Sequence, residues 1–178
     1  MMIVSYLVNA NKESAMRRFN TCGLIALLLA SVSPLSGQTI SVSGTWDLVI
    51  GPADLVSGMP GDNLNSTYEN TAGDVMLSFG TGGSLFNSRD YRIDVQRSDS
   101  NWYPTFQLAV RRTSGGFVWG SINGGTSYQN ITSAAQQFVY GRAWFGLNVP
   151  LQYRLTGVSA AIPADTYVTT VIYTITAW

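Results

Sequence analysis

The side chains that could do chemistry in this chain are carboxylates, arginines and aromatic rings, and their spacing sorts them into three candidate groups. Asp90, Asp94 and Asp99 fall within ten positions of one another, and a carboxylate pair can cleave a glycosidic bond as acid and base when set at a defined separation. Aspartates at these intervals do not define that separation. The expected role is instead ion pairing across strands, Asp94 with an arginine such as Arg92 or Arg111. Asp54, Asp62, Asn63, Asn65 and Glu69 gather the hard oxygen donors that Ca²⁺ takes, but their spacing matches no calcium loop, so a solvated loop is expected and no metal is assigned. Trp102 and Tyr103 follow the turn-like run Ser98 to Asn101, and Trp119 and Trp144 lie close to glycines. Exposed rings in such places stack on sugar faces, which makes these four the candidate glycan-binding residues, with core packing as the competing role.

What is missing bounds the chemistry more tightly. The chain has no His, its single Cys is Cys22 and its single Lys is Lys12. Met16 to Thr21 supplies a positive start, Cys22 to Ala30 an apolar run, and Ser31 to Gly37 small residues with a turn, which is the order of a secretory signal peptide. The apolar run is too short to span a bilayer, so no membrane span is expected after cleavage. Cleavage is expected near Gly37. Residues 1–15 carry Asn9, Asn11, Lys12 and Glu13 ahead of that signal and read as an upstream mis-start, with Met16 as the initiator. The domain expected to remain, 38–178, lacks the commonest general base, thiolate nucleophile and Schiff-base amine. With no His and no Gly-x-Ser-x-Gly elbow it has no ordinary serine-hydrolase triad. No catalytic residue, no cofactor and no enzymatic activity are assigned to it. Its seven arginines face nine acids, which leaves no polybasic surface for nucleic acid.

The elements that must position these residues are strands. Period-two alternation runs from end to end, and no stretch sustains a helical period. Ile40, Val42, Gly44, Trp46, Leu48 and Ile50 line one face of a first strand. A long polar passage through Pro52, Pro60 and Asn70 reads as loop with nothing to bury. Val75, Leu77 and Phe79 form a short strand. Tyr91 to Val95 and Phe106 to Val110 read as a hairpin across the turn Ser98 to Asn101. Phe117 to Trp119 and Phe138 to Tyr140 are brief strands, and Leu147 to Leu155 is a further one in which Pro150 demands an edge or a bulge. Tyr167 to Trp178, almost wholly β-branched or aromatic, closes the chain as a strong strand. About eight strands with glycine and asparagine turns predict a single all-β domain, an antiparallel two-sheet sandwich of immunoglobulin-like type, with a closed barrel as the alternative.

Ala161-Ile162-Pro163-Ala164-Asp165-Thr166-Tyr167 and the alternating strand Thr169 to Thr176 resemble the last strand of secreted bacterial subunit domains: the spore coat protein U type, chaperone-usher pilins and, second, WxL wall-binding domains. The first two resemblances imply a sandwich completed by a strand from a neighbour or a periplasmic chaperone. Two departures stand against them and the third: the exported domain has no cysteine, and Trp46-Asp47-Leu48 carries the WxL letters at the start of the domain. The expected function is a secreted, non-enzymatic structural or adhesive subunit at a bacterial surface. It would be pilus-like or coat-like and would assemble by strand pairing through Ile40, Val42 and Trp46 at one end and Val171, Tyr173 and Ile175 at the other. The alternative is a secreted carbohydrate-binding module whose partner is a polysaccharide.

Overall fold

A computed structural model describes residues 2–10, 37–59 and 62–178, the first of these by backbone path. Apart from Gly37, the expected signal at 16–37 lies outside the described residues, as do residues 11–15.

The fold is all-β. The strands are β1 (Met2–Ala10), β2 (Thr39–Ser43), β3 (Trp46–Leu48), β4 (Thr67–Glu69), β5 (Val75–Gly80), β6 (Arg89–Asn101), β7 (Gln107–Arg112), β8 (Phe117–Gly120), β9 (Asn123–Gly124), β10 (Gln129–Asn130), β11 (Gln136–Thr156) and β12 (Tyr167–Ala177). The only helical element among the described residues is a 3-10 turn at Pro52–Asp54. All twelve strands belong to one sheet with the path β10-β7-β11-β6-β12-β1-β3.

The 21-residue β11 organises the sheet. Along one edge it meets β9, β8 and β7 in succession, and along the other β6, β5 and β4. A strand that long can serve both walls of a rolled sheet only if it bends. Register shifts between Gln137 and Val139, between Ala143 and Gly146, and between Gly146 and Val149 supply the bends. At the last of these Asn148 takes a left-handed conformation (φ 53°) and its N–H donates to Ser78 Oγ at 3.0 Å, just ahead of Pro150.

Alternation sets the core. Val75, Leu77 and Phe79 of β5, Tyr91, Ile93 and Val95 of β6, Val149, Leu151, Tyr153 and Leu155 of β11, and Val171, Tyr173 and Ile175 of β12 all point inward. Two tyrosines meet there, Tyr153 Oη and Tyr173 Oη lying 2.8 Å apart, and Trp46 stacks on Tyr153 at 6.3 Å.

Four sequence expectations change. The first strand is two strands, because Gly44 sits at φ 93° where a Cβ would overlap the carbonyl oxygen of Asp74. The chain therefore leaves the edge of β5 and turns toward β1. The hairpin is absent. Ser98, Asp99 and Asn101 continue β6 against β12, fastened by Thr169 Oγ1 donating to Asp99 at 2.7 Å, while β7 pairs with β11. The two strands expected at Phe138 and Leu147 are one. The passage after Pro52 does bury something: Tyr68 of β4, in the core.

Candidate functional site

The first candidate site is the outer edge of β12. Its inner edge pairs with β6 from Val168 to Ala177. Its outer edge pairs in parallel with β1, from Met2 opposite Tyr167 to Ala10 opposite Ile175, and β1 in turn meets β3 antiparallel, with Val4 opposite Trp46. The strand lying between β3 and β12 thus belongs to the segment 1–15 that the sequence reading places ahead of Met16. Of the six residues expected to serve strand pairing, Trp46, Val171, Tyr173 and Ile175 lie on the strands flanking this slot, with side chains buried in the core. Ile40 and Val42 lie elsewhere, on β2, which pairs within its own chain with β5, Ile40 opposite Phe79 and Val42 opposite Leu77.

Leu48 and Tyr167, the two register partners of Met2, also line a cavity of about 230 Å³ together with Ile50, Phe106, Leu155 and Ile162. Its wall is mostly apolar, and the turn that shapes it is held by Tyr167 Oη donating to the Pro163 carbonyl at 2.7 Å. Beside it, Asp165 accepts from the Thr166 N–H and from Asn101 Nδ2, which hold its carboxyl below the usual aspartate range. Sequence reasoning missed the cavity because it joins three segments distant in the chain. The alternating apolar residues Met2, Val4, Tyr6 and Val8 were a legible sign of β1.

The four aromatic candidates separate into two places. Trp102 and Tyr103 are partly buried on Phe106, at 5.4 and 5.8 Å between ring centroids. The Trp102 N–H donates to the Phe106 carbonyl at 3.2 Å and Arg97 lies 5.1 Å over the indole ring, so these rings serve the turn after β6. Trp119 and Trp144 lie instead on two paired strands, β8 and β11. Gly120 pairs with Ala143 and Phe117 with Leu147, which places the outward residues of both strands side by side. Phe145 joins them, 5.0 Å from Trp144 and 5.9 Å from Phe117. Phe117, Trp119, Tyr140 and Leu147 are exposed.

Each of the three aspartates has an arginine. Arg92 meets Asp94 at 2.9 Å along β6 rather than across strands, Arg97 meets Asp99 at 2.6 Å, and Arg142 meets Asp90 at 3.4 Å. Arg111 donates to Gln152 Oε1 and not to Asp94. In the acidic loop, Asp54 accepts the Gly51 N–H, and Asp62 accepts those of Ser57 and Asn63. Among the described residues no three acids converge as a metal site. A separate polar cluster joins β4 to β11. Burial works against the Glu69 carboxylate, but Arg154 at 2.6 Å and the nearby Arg111 outweigh it and hold its pKa below the ordinary value. Among the described residues no helix is long and apolar enough to cross a membrane.

Comparison with protein-family models, with curated proteins and with solved structures returned no match.

Proposed function

We propose that the chain is a secreted, non-enzymatic structural or adhesive subunit that assembles at a bacterial surface by pairing strands between molecules. The observation that carries this reading is the occupancy of the β12 edge by Met2–Ala10. A chain that starts at Met16 and is processed near Gly37 lacks that nine-residue strand, and the N–H and C=O groups along one side of β12 and β3 are then without partners. An open edge of that length, built of β-branched and aromatic residues, recruits another strand. Backbone hydrogen bonds would supply affinity and alternate side chains would set register. The cavity at the Tyr167 end offers an incoming strand a place for an apolar side chain. The occupant is another subunit or, before assembly, a periplasmic chaperone.

The test is to express the whole precursor in an export-competent bacterium, recover the exported product, sequence its N-terminus, and measure its mass by light scattering and on gels with and without boiling. The expected result is an N-terminus at Gln38 and heat-sensitive oligomers that a synthetic Met2–Ala10 peptide disperses. An exported monomer at every concentration, indifferent to that peptide, would overturn the proposal.

A further inference from the structure

We infer that the outer face formed by β8 and the middle of β11 is a second, independent site, which binds a neutral polysaccharide. Tyr140, Arg142 and Trp144 point outward at every second position of β11, with Trp119 and Phe117 beside them on β8. From Tyr140 to Trp144 the strand rises about 13 Å at ~3.3 Å per residue, a platform longer than one sugar ring. Trp119 is nearly half exposed and makes no ring contact among the described residues. Its indole N–H, that of Trp144 and the Tyr140 hydroxyl have no hydrogen-bond partner among the described residues. An aromatic face with negative π-density accepts the apolar C–H face of a pyranose, and an adjacent free N–H or O–H meets its hydroxyls.

Size and charge select the occupant. Three rings, Phe117, Trp119 and Tyr140, and Leu147, each about half exposed, offer on the order of 500 Å², less than the ~800 Å² per partner that a stable protein interface buries. The charged pair beside the rings, Arg142 and Asp90, neutralises itself at 3.4 Å, which leaves Arg89, opposite Ala143 and without an ion pair among the described residues, as a single cation, too little to hold an acidic polymer or a nucleic acid. An uncharged, extended, hydroxyl-rich chain is what remains.

The exported protein is passed over insoluble cellulose and chitin and through native gels containing soluble neutral xylan, mixed-linkage β-glucan or, as the charged control, alginate, in low salt and in 1 M NaCl. Retention by at least one neutral polymer in both salts, weakened tenfold or more by Trp119→Ala and further by adding Trp144→Ala, is the expected result. Unchanged circular dichroism and melting of Trp119→Ala establish that the fold survives. Absence of retention by every neutral polymer, equal retention by Trp119→Ala, or binding to alginate alone that salt abolishes would overturn the inference. So would self-association that Trp119→Ala relieves without any effect on polysaccharide. Because each retention is compared between Trp119→Ala and the parent at the same oligomer mass, the site stands or falls apart from the assembly proposal.

Discussion

Gly44→Ala tests where the chain goes after β2. Gly44 lies at φ 93°, between β2 on the edge of β5 and β3 beside β1. A side chain there costs about 1–3 kcal/mol in backbone strain alone. The added methyl would also overlap the Asp74 carbonyl oxygen, which belongs to backbone and cannot swing away. Moving it adds roughly 1–3 kcal/mol of overpacking, while the stiffer unfolded chain returns about 0.4–1 kcal/mol. The net expectation is a loss of about 1–5 kcal/mol, centred on ~3 kcal/mol, or roughly 10 °C in melting temperature for a domain of this length.

The assay is urea and thermal unfolding of the protein, followed by tryptophan fluorescence at concentrations below and above any oligomer transition. The sign carries the meaning. Were residues 38 to 50 a straight strand donated to a neighbour, alanine at position 44 would suit its extended backbone, and the oligomer would be unchanged or more stable. A variant that melts within about 1 °C of the parent, or one whose oligomers gain heat resistance, would refute the kinked path within one chain.

Two other perturbations follow from the same packing. Glu69 has its folded pKa held below the ordinary value, so its contribution to stability is present above that ordinary value and disappears as pH falls through the folded one. The stability difference between parent and Glu69→Gln should be full at neutral pH and shrink below about pH 4; urea midpoints from pH 7 to 3 at low salt check this, and a constant difference would contradict it. Trp102→Ala removes a ring packed on Phe106 together with a hydrogen bond to its carbonyl, and should cost about 2–3 kcal/mol, whereas the exposed Trp119→Ala should cost about 0.5 kcal/mol or less; the same urea series would show equal losses if both rings were core.

The β class and the inward sets of β5, β6, β11 and β12 were legible because burial alternates with the residue pattern itself, as in Val75, Leu77 and Phe79 or Val171, Tyr173 and Ile175. The continuity of β11 was not, because the alternation lapses between Tyr140 and Leu147, around Gly141 and Gly146, where the paired strand bends, whereas Pro150 signalled the bulge that the register shows just ahead of it. The course of Ser98 to Asn101 was hidden for another reason. Four polar residues signal a turn locally, and the Thr-rich strand that captures them lies about 70 positions away. The candidate rings were legible by type, but their grouping was not, since pairing of β8 with β11 brings the strands of Trp119 and Trp144 side by side and the short turn after β6 folds Trp102 and Tyr103 onto Phe106.

The two proposed surfaces do not compete, and their geometry says why. Strand pairing at β12 uses backbone groups that point within the plane of the sheet, whereas Trp119 and Trp144 project perpendicular to it. Between the β12 edge and β8 lie β6 and β11, three inter-strand steps or about 14 Å at ~4.8 Å each. A strand added at β12 therefore extends the sheet away from the aromatic platform. Assembly through the edge would multiply such platforms along a polymer, and a weak single contact with a repeating polysaccharide would become a strong one through effective concentration, without any new contact. On that arrangement Trp119→Ala removes retention and leaves oligomer mass unchanged, while the Met2–Ala10 peptide disperses the oligomers and leaves only the weaker retention of single subunits. If the peptide instead abolished retention by isolated monomers, the two sites would share residues, and the separation read from β12, β6, β11 and β8 would be wrong.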